Sequence, residues 1–223
     1  MSTKNKFLVP FILVTSLFFF WGLIINLDSI LIPHLRKAFQ LNTLQSSLVD
    51  SAVYIAYFIM AIPAGMIMQR LGYRSGIIIG LLLFATGSFL FVPAANTKDY
   101  AFFLTALFVI ACGLAMLETA ANPYATVLGS EDTATQRLNF AQSFNGLAVV
   151  VAPLIGGRFI LSGKEYTQTD LAQMNDQARN IYLQSEASSV KSPYVIIGLL
   201  ILAVAILFFL TKLPDIKEEK TER

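Results

Sequence analysis

Apolar residues in this chain come in long blocks, and the blocks are the right length to cross a bilayer. Runs of about 20 apolar residues are what a helix needs to span the hydrocarbon core. Six such runs lie at Phe7 to Pro33, Leu44 to Met68, Ser75 to Ala94, Tyr100 to Leu128, Leu138 to Leu161 and Tyr194 to Leu210. Short polar connections separate them at His34–Thr43, Gln69–Arg74, Ala95–Asp99 and Gly129–Arg137. One connection is long. Residues 162–193 are rich in Gln, Asp, Asn and Ser, which a bilayer interior excludes, and they predict a surface loop with a short helix around Asp170 to Ala187. After the sixth run, residues 211–223 turn charged. The predicted fold class is an all-α membrane protein of six transmembrane helices, occupying residues 1–213.

The blocks repeat. Asp28 and Glu118 are 90 residues apart, and so are Pro33 and Pro123, and Pro63 and Pro153. Spans 1–2 therefore map onto spans 4–5, and the long polar loop displaces span 6 from the matching place of span 3. Three helices repeated once put the second copy upside down, because an odd number of crossings reverses direction. Inverted three-helix repeats are a device of secondary transporters.

Composition agrees and excludes alternatives. Of 223 residues, 56% are hydrophobic and only 13% charged, where a soluble domain has about a quarter charged. The mean hydropathy is +0.65. A net charge of +2 offers nucleic acid no electrostatic footprint. Lys4 and Lys6 before an apolar run resemble a signal peptide, yet Phe7 to Pro33 is longer than the 7–15 residues of a signal core. Cys112 is the single cysteine and His34 the single histidine, so neither an internal disulfide nor a histidine metal site can form. No His-Glu-x-x-His or Gly-x-Ser-x-Gly motif is present, which argues against an enzyme embedded in the membrane. No cofactor is implied. Lys and Arg number nine on the side of the termini and seven on the other, a weak bias toward cytoplasmic termini in a cell inner membrane. Arg70 and Arg74, flanking the short second turn, point the same way.

Candidate chemistry lies in the polar residues within spans. An ionised carboxylate at mid-membrane costs about 2.5–3.5 kcal/mol on insertion scales, so Asp28 and Glu118 should face protein or a watery cavity. A carboxylate sheltered from bulk water can exchange its proton under physiological conditions, as proton coupling requires; sodium coupling uses the same group, and the two stay open. On span 5, Asn139, Gln142 and Asn145 stand with Gly146, Val149, Ala152 and Gly156 at three- and four-residue steps, which draws them to one face. Amides offer paired donors and acceptors that suit neutral sugars, although they also glue helices together. Asn122 follows Glu118 by one turn. Ser47, Asp50, Tyr54 and Tyr57 form a comparable stripe on span 2, and Asn26 lies on span 1. Asp50 reads equally well as a solvated charge near a helix start. Trp21, two turns before Asp28, suits packing or lipid contact at least as well as sugar stacking.

Several runs resemble the L-fucose permease family: Phe18-Phe19-Phe20-Trp21-Gly22, Ile30-Leu31-Ile32-Pro33-His34-Leu35, Ile62-Pro63-Ala64-Gly65, Leu117-Glu118-Thr119-Ala120-Ala121-Asn122-Pro123 and Arg137-Leu138-Asn139-Phe140-Ala141-Gln142-Ser143-Phe144-Asn145. These permeases are sugar:proton symporters of the major facilitator superfamily, and they include bacterial glucose/galactose transporters. The resemblance covers residues from about 7 to 213. It implies the six-helix N-terminal domain, with helices 1, 2, 4 and 5 facing the substrate cavity. It places the protonatable glutamate on Glu118 and sugar-facing amides on Gln142 and Asn145. Asn122, Asn139, Asn26, Tyr54 and Tyr57 complete the expected sugar-binding set. Two departures matter. The family pattern reads Asn-Asp where this chain has Asp28-Ser29, and one residue is about 100° of helix rotation. In the second turn Gly65, Arg70, Gly72 and Arg74 match the superfamily's gating signature, but Gln69 replaces its Asp. The superfamily binds substrate between two six-helix domains, so the resemblance implies a C-terminal half in the same gene, in a separate chain or in a second copy. The charged residues 211–223 then begin the cytoplasmic link to it. Without such a half the chain is expected to be inert.

Overall fold

The structure is a computed structural model that describes residues 7–38, 41–97, 99–159, 166, 168–189 and 191–211. Side chains of Asp28, of residues 31–38 and of residues 159, 168, 169 and 187 lie outside the described part, as do residues 212–223 and the linker expected there. Among the described residues there is helix and no strand. The helices are α1 (Leu8–Ala38), α2 (Thr43–Thr97), α3 (Tyr100–Val127), α4 (Ala134–Phe159), α5 (Gln168–Gln173), α6 (Asp176–Ser189) and α7 (Lys191–Leu210), with one 3-10 turn at Glu131–Thr133. Helices α5 and α6 occupy the long polar loop, where one short helix was expected.

Five of these helical stretches are long and apolar enough to cross a membrane. One of them, α2, has 55 residues and would be about 80 Å long if straight, far beyond any bilayer. It is broken at Gly72, whose φ of 81° and ψ of 165° leave helical space. Only glycine adopts that conformation without steric cost. The break divides α2 into a first arm (43–71) and a second arm (73–97), each of spanning length. The expected loop at Gln69–Arg74 is thus a single non-helical residue, and Gly65, grouped with it by signature, stands inside the first arm.

The proline at 33 does not end α1, which runs on to Ala38. Pro63, Pro93, Pro123 and Pro153 likewise lie inside helices. A proline deletes one backbone donor, and neighbouring helices make this tolerable in a membrane bundle. Polar side chains set the helix starts instead. The Asn42 carbonyl oxygen Oδ1 accepts from Gln45 N at 2.8 Å while Asn42 N donates to Gln45 Oε1 at 3.0 Å, a reciprocal cap for α2. Asp99 Oδ1 accepts from Ala101 N at 2.9 Å at the start of α3.

Helix α1 packs on α4, and α3 packs on α2. Exchanging the first three spans for the last three turns the pair 1·5 into 4·2, and Ala56 of the first arm does meet Ala111 and Cys112 of α3. The second arm and α3 approach most closely at glycines. A Cβ on Gly113 would lie 2.6 Å from both Gly80 O and Phe84 N, and one on Gly87 would lie 2.6 Å from Ile110 N. Lipid gives no hydrophobic drive for helices to associate, so small residues that let backbones touch supply the attraction. Helix α7 closes on the second arm, with Phe91 stacked on Tyr194 at 3.9 Å and 5°. Away from these seams Phe58, Ile62, Leu154 and Phe209 are exposed.

Two arginines fasten helix ends. Arg74 Nη2 donates to Phe209 O at 2.6 Å, tying the turn at Gly72 to the end of α7. Arg137 donates from Nε to Ala125 O at 3.2 Å, from Nη1 to Thr133 Oγ1 at 2.5 Å, and from Nη2 to Thr126 O. It thereby satisfies carbonyls that the end of α3 leaves open.

Candidate substrate and proton site

Glu118 sits well inside α3, half-buried, with no neighbouring turn to account for a charge there. The Tyr57 hydroxyl on the first arm of α2 hydrogen-bonds its carboxylate. Trp21 on α1 donates from Nε1 to the same Tyr57 oxygen at 3.2 Å. One turn beyond Glu118, Asn122 Nδ2 donates to the Glu118 backbone carbonyl at 3.0 Å. Gln142 on α4 donates from Nε2 to Asn122 Oδ1 at 3.1 Å. Four helices therefore meet in one chain of hydrogen bonds: Trp21, Tyr57, Glu118, Asn122 and Gln142. Having donated through Nδ2 and accepted through Oδ1, Asn122 is locked in orientation.

Two cavities open beside this chain. One, of about 380 Å³, is lined by Trp21, Ser29, Asp50, Tyr54, Tyr57 and Glu118, with Ile25, Val49, Val53 and Leu107 as its apolar wall. The other, of about 400 Å³, is lined by Tyr57, Ala61, Ala115, Glu118, Thr119, Asn122 and Pro123. Tyr57 and Glu118 belong to both. Each volume falls in the range of small-molecule sites.

The remaining expected residues are distributed more widely. Tyr54 is 74% exposed and faces the first cavity. Asn26 turns its amide back onto its own helix, donating to Gly22 O at 2.7 Å. The single polar face expected for α4 divides in two. Asn139, Gly146 and Val149 are exposed and Gln142 is half-buried, whereas Ala152 and Gly156 are buried against α1. Asn145 goes with the packed side: a Cβ on Gly22 of α1 would lie 2.8 Å from Asn145 O and 3.0 Å from its Oδ1. Arg70 is exposed at the turn beside Gly72.

On α1, Trp21, Ile25 and Ser29 reach the first cavity from successive turns. Position 28 is about 100° around the helix from that line, and the Asp28 side chain lies outside the described residues. Two residues carry more than the sequence disclosed. Trp21 is a cavity residue with a polar duty, and Asp50 shares the cavity with Glu118. For Trp21 the available signal was its four-residue spacing to Ile25 and Ser29.

Comparison with known proteins gives one answer. The Major Facilitator Superfamily model matches residues 11–223. The L-fucose-proton symporter of Escherichia coli (strain K12) is 45% identical over 97% of this chain and 50% of its own length. The glucose/galactose transporter of Brucella abortus biovar 1 (strain 9-941) is 43% identical over 93% of this chain and 47% of its own. Among solved structures, the superfamily transporter FucP in its outward conformation superposes with a TM-score of 0.85 at 44% identity, covering 96% of this chain and 53% of that one. The chain spans about half the length of the curated relatives it matches, and it corresponds to their N-terminal half. With its glycine-packed seams and its half-buried carboxylate beside two cavities, the chain belongs to the Major Facilitator Superfamily.

Proposed function

We propose that the chain forms the N-terminal domain of a sugar:proton symporter of a cell inner membrane, with both termini cytoplasmic. It moves a monosaccharide of the fucose, galactose or glucose class. The observation that carries this reading is the placement of Glu118, a carboxylate within the membrane that touches two cavities and is tied to Tyr57. A carboxylate so placed binds a proton from whichever cavity is open to water, and its charge then decides whether the domain can cross between states. Gln142 and Asn122 present amide groups for sugar hydroxyls beside it, and Tyr54 and Tyr57 add hydroxyls and ring faces. Asn145, Asn139 and Asn26 complete the binding set, and Asp28 acts as a second coupling carboxylate. The names of the relatives support the sugar class and the proton.

Alternating access rocks one six-helix domain against another about a shared site. The partner is therefore a C-terminal six-helix half, and the segment from Gly65 in the first arm through Arg70 and Gly72 to Arg74 gates the rocking. Coupling is tested on Glu118→Gln, which keeps shape and hydrogen bonding but cannot exchange a proton. In vesicles holding both halves, the variant should exchange sugar by counterflow yet fail to accumulate it on a proton gradient. Accumulation at the wild-type rate would remove Glu118 from the coupling role.

A further inference from the structure

The polar groups of the 380 Å³ cavity divide by whether their hydrogen bonds are already committed. Trp21 N–H is given to Tyr57, and the Tyr57 hydroxyl to Glu118. Ser29 Oγ donates to Asn26 O at 2.7 Å. Two groups remain. Among the described residues, neither the Asp50 carboxylate nor the Tyr54 hydroxyl has a hydrogen-bond or ion-pair partner, although both line the cavity. They stand at i and i+4 on the first arm of α2, so they lie one above the other on the same face. Glu118, by contrast, is carried by α3.

We infer that Asp50 and Tyr54 form a second sugar-hydroxyl site, separate from the chain that runs through Glu118, Asn122 and Gln142. This rests on the sugar reading above and deepens it. An ionised carboxylate is acceptor-only, with two oxygens that can each take a hydroxyl donor. Neighbouring hydroxyls of a monosaccharide are donors with matching spacing, and bonds to a charged acceptor are roughly twice as strong as neutral ones. Asp50 is exposed within the cavity and keeps its water until a ligand displaces it. Tyr54 offers a hydroxyl that both donates and accepts, next to a ring face over which the apolar side of a sugar can lie. Val49, Val53 and Ile25 bound the same space with apolar surface. Polar groups converging at one end of a mostly apolar pocket are how small-molecule sites fix orientation. Asp50 thus reads the sugar's hydroxyl pattern, while Glu118 handles the proton.

The test uses the transporter purified with both halves, reconstituted, and assayed by counterflow with L-fucose, D-galactose, D-glucose and their monodeoxy analogues. Asp50→Asn should raise KM for the transported sugar about tenfold, leave the maximal exchange rate within about twofold, and leave the pH profile of accumulation in place. One monodeoxy analogue, lacking the hydroxyl that Asp50 accepts, should bind wild type and variant equally. Tyr54→Phe should raise KM about threefold. An unchanged KM in Asp50→Asn for a sugar that the wild type transports overturns the site alone. So does a displaced pH profile with KM intact, which would assign Asp50 to proton handling. If the wild type exchanges no monosaccharide, both this site and the sugar reading fall.

Discussion

Helix α3 shows two kinds of contact along one length. Toward the second arm of α2, Gly113 and Ile110 press against Gly80, Phe84 and Gly87 with backbones in direct contact. Toward the first arm and α4, Glu118 and Asn122 meet Tyr57 and Gln142 through hydrogen bonds beside open space. At these glycines the packed seam has no room for a methyl group. The cavity side has both polar groups and room. The difference teaches how a membrane bundle holds charge: close apolar packing on one face of a helix fixes it firmly enough that the opposite face can be left underfilled. Gly113 of the seam and Glu118 of the cavity side stand about 140° apart around the same helix.

If that division is right, the heaviest penalty belongs to the seam. Gly113→Ala places a methyl group 2.6 Å from two backbone atoms that cannot swing aside. Overpacking of this kind costs about 1–3 kcal/mol or more. Thermal unfolding in detergent should fall by many degrees, and folded yield from membranes should drop. A Gly113→Ala protein as stable as wild type would mean the seam is not tight.

Tyr57→Phe addresses the cavity side. It removes one oxygen and leaves Trp21 N–H and the Glu118 carboxylate each without that partner. Leaving a buried polar group unsatisfied costs about 1–3 kcal/mol. Sugar accumulation should fall severalfold while folded yield stays near normal, which separates this variant from Gly113→Ala. Gln142→Leu should act more weakly, since Asn122 keeps its bond to the Glu118 carbonyl; a fewfold rise in KM in counterflow is expected. Weakest of all is Gly146→Ala. Nothing lies within 4 Å of its added Cβ, and alanine favours helix over glycine by up to about 1 kcal/mol. Stability should be unchanged or slightly raised, and a marked loss would show that the open face of α4 is covered in the working protein.

Much of the fold was legible because crossing a bilayer leaves a coarse signature. The span read from Tyr100 to Leu128 differs from α3 by one residue. The connection at Gln69–Arg74 was overestimated, because polar residues in a membrane sequence mark the interface and not the loss of helix. Gly72 alone makes the turn. Glu118, Asn122 and Gln142 were marked out as candidates by composition and spacing, since polar atoms within apolar runs are conspicuous, and the structure joins them by hydrogen bonds. Asn145 shows what that signal leaves out. Periodicity placed it on the face with Gln142, and its contact with Gly22, more than a hundred residues earlier in the chain, is one that spacing does not supply. Trp21 is similar: spacing aligns it with Ile25 and Ser29, but its partner Tyr57 lies on another helix.

Trp21 also has a spectroscopic consequence. It is the only tryptophan in the chain, it lines the first cavity, and its indole N–H is bonded to the hydroxyl that touches Glu118. Indole emission responds to the polarity and hydrogen bonding of its surroundings. The tryptophan emission of this domain therefore comes from one indole wired to the carboxylate. Filling the cavity or changing the charge on Glu118 should alter its intensity or wavelength without any added label. The site carries its own optical reporter, and occupancy can be followed in an unmodified protein, in real time, at equilibrium.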